Sequence, residues 1–544
     1  MTACSVVDCV PKPIVEKAAR AARVHWGLCV SALAIEVSLL ALHRYEAARF
    51  PVVPFVLHFL TAFVAYAAVL PLLFRRSPPS TGPSLSLILG CALLFRLTVL
   101  LIPPIWDDDL YRYLWDGRVG IHGINPYLYA PDAPELESLQ DDHYDMVSFK
   151  TIRTIYPPLF QFLFQRSQWI APSSLFFLKC LALFFDLALI AVLMSLLKHL
   201  GYPLAWILIY AWNPLPIKEF ANSGHMDSLV LFLLFLSLRC FLNQRVVLAH
   251  LCLGLSVLAK LFSGIALPFL LIKAYQQSRR TFLMSLAAFG AVLFLGYAPY
   301  AEAGTRLLEG LSIYSRYWNF NAGPFRLIER TLQIAGWNYW WLSRTVVLAG
   351  VMAVMTRQLV LLRRNSPCRA EHLGPAPRRP ETLTLEAPAV LIPAGGREHL
   401  APLAKSSCER TEIQQESWLP SREAKGAEWS IFSLPQGHNR RSLQSSAQSI
   451  SLLKAVFYSL AALVLLSPAV QPWYLCWLVP FYVFVPRGAW ISLSGLVVLS
   501  YLFYLNFAEM AWPRLVEFGI PAAIASWEWA RNESWQRWHT NFQT

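Results

Sequence analysis

Three adjacent aspartates, Asp107, Asp108 and Asp109, follow the third long apolar run of the chain and begin a polar motif at residues 106–117. Neighbouring carboxylates repel one another, and their ionised forms are costly beside a low-dielectric medium. They are easier to keep if one of them accepts a proton or binds a cation, and a raised pKa suits a general base. The alternative is a solvated acidic loop that begins where a span ends. The acidic run alone leaves both interpretations open.

A second group of ionisable residues, Lys218, Glu219, His225 and Asp227, lies between two short apolar runs. Ionisable groups at membrane depth cost about 2.5–3.5 kcal/mol each on insertion scales, so they are candidates for function. An external hairpin is the alternative, because charges cost little there and Asn-Pro and Ser-Gly are ordinary turn signals.

Several further cations and aromatic residues could meet an anionic ligand. Lys260 stands in an apolar segment, where it either faces a phosphate or extends to the surface. Arg316 and Arg326 lie among aromatic residues, which fits either a headgroup site or an interfacial belt. Trp473 and Tyr474 follow a proline-broken segment, where an interfacial belt is again the alternative to a binding site.

The elements that must position these residues are membrane helices. Hydrophobic residues make up 56% of the 544 residues and charged residues 15%, whereas soluble chains are about 25% charged. Apolar runs long enough to cross a bilayer recur along the chain. We predict an all-α polytopic integral membrane protein with about 12–14 transmembrane helices, outer-face loops and interfacial helices.

Composition divides the chain into three parts. Residues 1–364 are predicted to form a transmembrane core, with a first outer loop at 106–155. Residues 365–450 are rich in Pro, Ser, Glu and Arg and lack an apolar period, which predicts a disordered cytoplasmic insert. Residues 451–544 are predicted to form C-terminal transmembrane helices. Within the core, residues 156–170 are apolar but interrupted by polar residues, which is typical of an interfacial or re-entrant helix.

The net charge is +13, and the positions of the basic residues agree with the membrane topology that we predict. Basic pairs at 75–76, 279–280 and 363–364 fall on one side, and the polar motifs fall on the other. The positive-inside rule places the basic pairs in the cytoplasm without a nucleic-acid partner. No Walker A or G-x-G-x-x-G motif is present. Energy must therefore come from a gradient or from an activated substrate carried by the membrane. The membrane itself is expected to be a bacterial plasma membrane or the endoplasmic reticulum.

Residues 108–117, followed by Gly123-Ile124-Asn125-Pro126-Tyr127, resemble the first outer loop of polyprenol-phosphate-sugar-dependent glycosyltransferases of the GT-C superfamily. The resemblance is to family 87 and the alpha-mannosyltransferase-like members. Tyr156-Pro157-Pro158, residues 213–227 and Pro472-Trp473-Tyr474 fall in matching order. The resemblance covers nearly the whole chain except residues 365–450, an insert that departs from the family pattern.

The resemblance implies an enzyme that moves a hexose, with mannose expected, from a polyprenyl or dolichyl phosphate to a glycan, lipid or protein acceptor. Transfer would take place on the extracytoplasmic or lumenal face, in one step, with inversion. An acidic residue of the first outer loop deprotonates the acceptor hydroxyl, and this role maps to Asp108 or Asp109. Three aspartates in a row leave the choice between them open.

The donor phosphate needs cations for the charge that develops on it. The candidates are Arg112, His225, Lys260, Arg316 and Arg326. The remaining residues expected to bind donor or substrate come from the same motifs and are Tyr111, Asp116, Glu219, Asp227, Trp473 and Tyr474. No metal ligands and no cofactor are assigned, and a divalent cation remains an open possibility.

A secondary transporter or lipid flippase is the rival interpretation, because broken helices and intramembrane charges also mark transporters. Transporters keep their sites near the midplane and are commonly built from internal repeats. Here the densest motif lies in a loop, and the two halves show no clear repeat. The enzyme is therefore favoured.

Overall fold

The structure is a computed structural model that describes residues 12–45, 51–73, 82–364, 440–505 and 512–541. The predicted insert lies outside the described residues up to position 439, and so do Arg75 and Arg76. The division into three parts therefore stays a prediction. A helix begins at Arg440, within the last part of the predicted insert.

The described residues form helices joined by turns, without a β-strand; a single isolated bridge pairs Phe320 with Ala469. The α-helices are α1 Lys12–Ala41, α2 Val52–Leu73, α3 Gly82–Leu100, α4 Asp109–Ile121, α5 Pro158–Ile170, α6 Leu175–Leu200, α7 Leu208–Ala211, α8 Pro214–Pro216, α9 Asp227–Leu242, α10 Val246–Ala259, α11 Leu267–Gln277, α12 Arg279–Tyr297, α13 Glu309–Tyr317, α14 Gly323–Ile334, α15 Trp340–Arg364, α16 Arg440–Leu465, α17 Pro472–Leu475, α18 Val479–Tyr482, α19 Gly488–Leu496 and α20 Trp512–Asn541. The all-α class is confirmed.

Shorter elements complete the chain. A π-helix covers Ile217–Asn222. The 3₁₀ helices are Leu42–Arg44, Pro134–Leu139, Tyr144–Met146, Leu204–Ile207, Leu261–Ala266, Ala298–Leu308 and Val497–Leu505.

By length and composition, the described residues contain seven candidate membrane spans. The count becomes eight if the bent pair Pro214–Asn222 and Asp227–Leu242 forms one broken span. Two further apolar helices, Ser84–Leu100 and Val246–Ala259, are shorter than 18 residues. The polytopic architecture is confirmed, with fewer long helices than the predicted 12–14 or so. Several apolar runs end early at prolines and turns and form short or bent helices instead.

Local signals explain where the helices next to the outer loop begin and end. Pro103 and Pro104 lie shortly after the end of α3 at Leu100 and have no N–H to continue its hydrogen bonding. Ser174 caps α6 by accepting a hydrogen bond from the backbone N–H of Phe177 (3.2 Å), and Gly201 ends it at φ 76°. Local signals therefore define both ends of α6. Lys179 on this helix donates to the carbonyls of Leu100 and Ile102, just before the outer loop.

A buried ion pair joins α3 to α6. The Nε atom of Arg96 lies 2.5 Å from Oδ2 of Asp186, and both side chains are fully buried. Tyr210 donates its hydroxyl hydrogen to the other oxygen of Asp186 (2.5 Å), and the Arg96 guanidinium also donates to the carbonyl of Ala211. Because breaking such a pair leaves an unpaired buried charge, it holds these elements in one arrangement.

Candidate active site

The centre of the site is His225, whose side chain is fully buried. Its Nε2 lies 2.6 Å from Oδ2 of Asp107, and its Nδ1 lies 3.8 Å from Oδ2 of Asp109. Oε2 of Glu219 lies 3.5 Å from the same Nε2. Three carboxylates from two separate segments therefore converge on one imidazole, and we call these four residues the His225 cluster.

Backbone geometry brings these two segments together. Asp107 Oδ1 accepts a hydrogen bond from the backbone N–H of Asp109 (3.1 Å), while Asp108 between them is exposed. His225 lies in the break before α9, where the chain bends by 119°. Gly224 has φ 71° in this break, and a Cβ atom there would lie 2.8 Å from Cδ2 of Leu110. A glycine is therefore required for His225 to approach α4 so closely.

The π-helix Ile217–Asn222 directs Lys218 and Glu219 into the protein core, where both are buried. Lys218 Nζ lies 3.3 Å from Oε2 of Glu219 and also donates to the hydroxyl of Tyr501. That hydroxyl donates to Oε1 of Glu219 (3.0 Å). The segment Val497–Leu505, late in the chain, thus supports the carboxylate that faces His225.

A second charged pair lies at the start of α9. Lys260 Nζ lies 2.8 and 3.0 Å from the two oxygens of Asp227, and the Lys260 side chain is 22% exposed. Trp477 donates its indole N–H to Asp227 (2.6 Å) and stacks on Phe262 with ring centroids 3.6 Å apart. Asp227 is thus held on two sides, and the ammonium of Lys260 keeps access to solvent.

Aromatic residues line the same region. Trp473 stacks on the imidazole of His225 with centroids 4.3 Å apart. The hydroxyls of Tyr474 and Tyr314 hydrogen-bond to one another. The ammonium of Lys260 lies 5.4 Å from the centroid of the Tyr474 ring, within cation–π range. Late segments of the chain therefore complete a site whose charges come from its first half.

Two polar side chains hold the acidic turn to the helices behind it. Asn222 donates to three backbone carbonyls at the end of α3 and accepts a hydrogen bond from the backbone N–H of Ile105 (2.9 Å). Lys179 donates to the carbonyls of Leu100 and Ile102. Trp106 follows with φ 53°, a strained value for a bulky residue. The turn that carries Asp107 and Asp109 is therefore fixed from both sides.

The two site aspartates differ in acidity. Burial raises the pKa of Asp109 most, the negative charge of Asp107 raises it further, and the pKa reaches about 7. Burial also acts to raise the pKa of Asp107, but His225 and Lys218 outweigh it and the pKa lies below its ordinary value. Asp107 is thus the permanent anion of the pair, and Asp109 exchanges a proton near neutral pH.

One oxygen or nitrogen from each of Asp107, Asp109 and His225 lies within 4.8 Å of the others, a spacing at which a metal ion could be held. However, Asp107 faces Nε2 of the ring and Asp109 faces Nδ1. A single ion binds one nitrogen of an imidazole, while the other nitrogen faces a supporting group. The geometry fits an imidazole between two carboxylates better, and we assign no metal.

Two of the predicted substrate residues, Arg112 and Asp116, lie within a buried hydrogen-bonded group. Arg112 Nε lies 3.0 Å from Oδ1 of Asp116, and its other nitrogens donate to backbone carbonyls of residues 148–152. Oδ2 of Asp116 accepts from Thr154 (2.5 Å) and Gln161 (3.0 Å). We call these four side chains the loop clasp. Its hydrogen bonds occupy the donors that a phosphate would need from Arg112.

Three other predicted residues lie apart from His225. Tyr111 packs in a small apolar cluster of the outer loop. The Arg316 guanidinium lies 4.7 Å from the centroid of the Trp340 ring. Arg326 is 51% exposed and pairs with Glu329 at 2.8 Å. The structure therefore brings together Asp109, the 219–227 residues, Lys260 and the Trp473–Tyr474 pair, and it does not bring these three to them.

Sequence reasoning named Asp107 within the acidic run without a role of its own, and it did not single out Tyr501 or Trp477. No local signal separates Asp107 from Asp108 and Asp109, because the three residues are adjacent and identical. Tyr501 had no local signal, since its partners Lys218 and Glu219 are more than 280 positions earlier. Trp477 follows Trp473 at a spacing of four, a weak hint of a shared face.

Residues 22–276 match the family model of the alpha-(1->6)-mannopyranosyltransferase N-terminal domain, the MptA/MptB family. The match includes the His225 cluster, Asp227 and Lys260, and it confirms the resemblance to GT-C family 87-like mannosyltransferases. No curated protein and no solved structure matches the chain significantly. Together with the apolar helices, the family match supports a multi-pass membrane mannosyltransferase and does not favour a transporter.

Proposed function

We propose that the protein transfers mannose from a polyprenyl or dolichyl phosphate to an acceptor hydroxyl on the extracytoplasmic or lumenal face, with Asp109 as general base. The observation that carries this proposal is the contact between Asp109 and His225. The Asp109 side chain is 27% exposed, whereas His225 is fully buried. Within the His225 cluster, the Asp109 carboxylate is thus partly exposed, whereas the side chains of Asp107, Glu219 and His225 are buried.

Asp109 suits the base better than the aspartates beside it. Asp107 is 2% exposed and lies against His225, so an acceptor sugar cannot reach its carboxylate directly. Asp108 is exposed and has no contact with the imidazole in the structure. The pKa of Asp109, raised to about 7, lies near an ordinary working pH, where a base is most effective.

The reaction that these residues would support is a single displacement. The acceptor O–H gives its proton to the Asp109 carboxylate while the acceptor oxygen forms a bond to the anomeric carbon. The bond from that carbon to the phosphate oxygen breaks, and the electron pair leaves with the polyprenyl phosphate. His225, fixed by Asp107 and stacked on Trp473, is placed to orient Asp109.

Lys260 is the cation best placed for the leaving phosphate. Its side chain is 22% exposed, its ammonium lies beside Asp227, and its charge acts on Asp109. The hydroxyls of Tyr314 and Tyr474 share one hydrogen bond, so the pair leaves one O–H as a donor beside Lys260. Preorganised donors of this kind stabilise charge that develops on an oxyanion. Arg112 is not part of this proposal, because the loop clasp occupies its donors.

A donor comparison tests the proposal. Purified full-length protein in liposomes would receive radiolabelled mannose on either a polyprenyl phosphate or a nucleoside diphosphate, with an oligomannoside acceptor. We expect labelled product and free polyprenyl phosphate only from the lipid donor. Transfer from the nucleotide donor alone would contradict the proposal. Movement of the intact lipid donor across the bilayer, without release of mannose, would instead support the transporter.

A further inference from the structure

A cavity lies between α11, the beginning of α12 and the end of α15. Its accessible volume is about 450 Å³, within the range of small-molecule sites. The wall is mainly apolar and the rim carries polar groups, and the lining residues are Pro268, Leu271, Ile272, Tyr275, Gln276, Phe282 and Arg363. An apolar cavity with one cationic edge calls for a ligand that is apolar at one end and anionic at the other.

The Arg363 edge of this cavity lies at the opposite end of α12 and α15 from the contacts that these helices make with the outer loop and with the segment that carries Tyr314. At the other end of α12, Tyr300 contacts the ring of Tyr127 in the first outer loop, with centroids 5.2 Å apart. At the other end of α15, Arg344 donates to the carbonyls of Ser315 and Arg316, close in sequence to the site residue Tyr314. Both arginines lie on α15, and at about 1.5 Å of rise per residue Arg363 lies roughly 29 Å from Arg344 along the helix axis, about the thickness of a bilayer core.

One arginine, Arg363, lines the cavity, and further basic residues lie close to the lining residues in sequence. Arg279 and Arg280 begin α12, Arg363 and Arg364 end α15, and all four side chains are exposed. The residues from 267 to 297 and from 340 to 364 contain no Asp or Glu, so the helices that form the cavity supply no carboxylate to neutralise this charge. Lys273 adds a further basic residue to α11. The electrostatic potential at this end therefore favours an anion.

We propose that this cavity binds an anionic phospholipid, with part of one acyl chain between Leu271 and Phe282 and the headgroup phosphate at Arg363. The positive-inside rule alone explains why basic residues lie at one membrane face. It does not explain an open apolar cavity directly beside them. Basic pockets between membrane helices are a recurring way of holding anionic lipid headgroups. The site is separate from the active site and does not depend on the proposed reaction.

Native mass spectrometry of the full-length protein in detergent tests this assignment. The protein would be titrated with phosphatidylglycerol or phosphatidylcholine of identical acyl chains. We expect preferential retention of phosphatidylglycerol. Arg363→Gln should weaken it about fivefold, the effect of one basic residue near a lipid headgroup. Arg363→Lys should restore much of the binding, and Arg306→Gln, an exposed arginine outside the cavity, should leave it unchanged.

A cavity-filling variant separates a lipid site from a merely basic surface. Leu271→Trp keeps every charge and fills the apolar wall, so we expect retention of phosphatidylglycerol to fall. Millimolar inorganic phosphate should not displace the lipid. The proposal is overturned if Leu271→Trp binds like the wild type, if free phosphate competes, or if both lipids are retained equally. Retention of neither lipid would also overturn the proposal. That result is expected if another part of the chain, or a second copy of it, fills the cavity.

Discussion

Helix α4 takes part in two buried groups of charged residues that differ in how well they are satisfied. In the loop clasp, both oxygens of Asp116 and all three nitrogens of the Arg112 guanidinium have hydrogen-bond partners, and Oε1 of Gln161 does not. In the His225 cluster, both ring nitrogens and Oδ2 of Asp107 lack an aligned hydrogen bond, although Nε2 lies 2.6 Å from that oxygen; Nδ1 lies 3.8 Å from Asp109. Aspartates only a few residues apart, Asp109 and Asp116, therefore lie in two different environments.

The two groups differ in the hydrogen-bond donors and acceptors that they leave available to a ligand. A satisfied buried pair stabilises one arrangement and has no free donor or acceptor for a ligand. Charged groups that are buried but incompletely hydrogen-bonded are costly, and such cost is concentrated where function requires it. We therefore interpret the loop clasp as the group that holds the first outer loop in place. We interpret the His225 cluster as the group that carries out the reaction.

The largest effect should come from breaking the loop clasp. Asp116→Ala leaves the Arg112 guanidinium buried without its partner, which we expect to lower the free energy of unfolding by about 3–5 kcal/mol. Thermal unfolding in detergent measures this change. Asp141→Ala, which removes a partly exposed partner of Arg118, is the matched control and should cost about 1 kcal/mol or less. A stable Asp116→Ala protein that has lost its turnover would place the clasp in the chemistry instead.

A smaller effect, on turnover rather than on folding, should follow from His225→Gln. Glutamine keeps a hydrogen-bonding group but loses the ring between Asp107 and Asp109, so we expect kcat to fall about 10- to 100-fold. KM for the donor should change much less, because Lys260 and the tyrosine pair remain. The control is His143→Gln, in the first outer loop beside Asp141, which should leave both constants near wild type. Equal losses in both histidine variants would remove the distinction between the two regions.

The pH dependence should sharpen the same distinction. Because the pKa of Asp109 is about 7 and the base must be ionised, kcat/KM should rise about tenfold per unit below pH 7 and level off above it. Asp107→Asn removes a negative charge that raises this pKa, so the inflection should move to lower pH. An inflection near pH 4 in the wild-type enzyme would show that the base is an ordinary solvated carboxylate.

Local patterns predicted much of this architecture. Apolar runs predicted the all-α membrane class, and the acidic run and the 213–227 segment supplied most of the site residues. The number of long spans could not be predicted well, because prolines and turns convert apolar runs into short or bent helices.

The roles of individual charges were the hardest part to predict, since they depend on partners far away in sequence. Arg112 is predicted to bind phosphate, and that stays a prediction; in the folded chain its guanidinium donates to carbonyls of residues 148–152. Likewise, only the folded chain brings Tyr501 to Glu219 and Trp477 to Asp227. Spacing along the chain contains no information on these contacts.

The most direct test of the account compares two adjacent carboxamide variants, Asp109→Asn and Asp108→Asn, in single-turnover transfer from a polyprenyl-phosphate mannose donor. Both remove one negative charge from the same turn, but only Asp109 lies against His225. We predict a rate loss of about 100- to 10,000-fold for Asp109→Asn, the usual contribution of a general base, and a near wild-type rate for Asp108→Asn. Full activity in Asp109→Asn, or the larger loss in Asp108→Asn, would contradict the account.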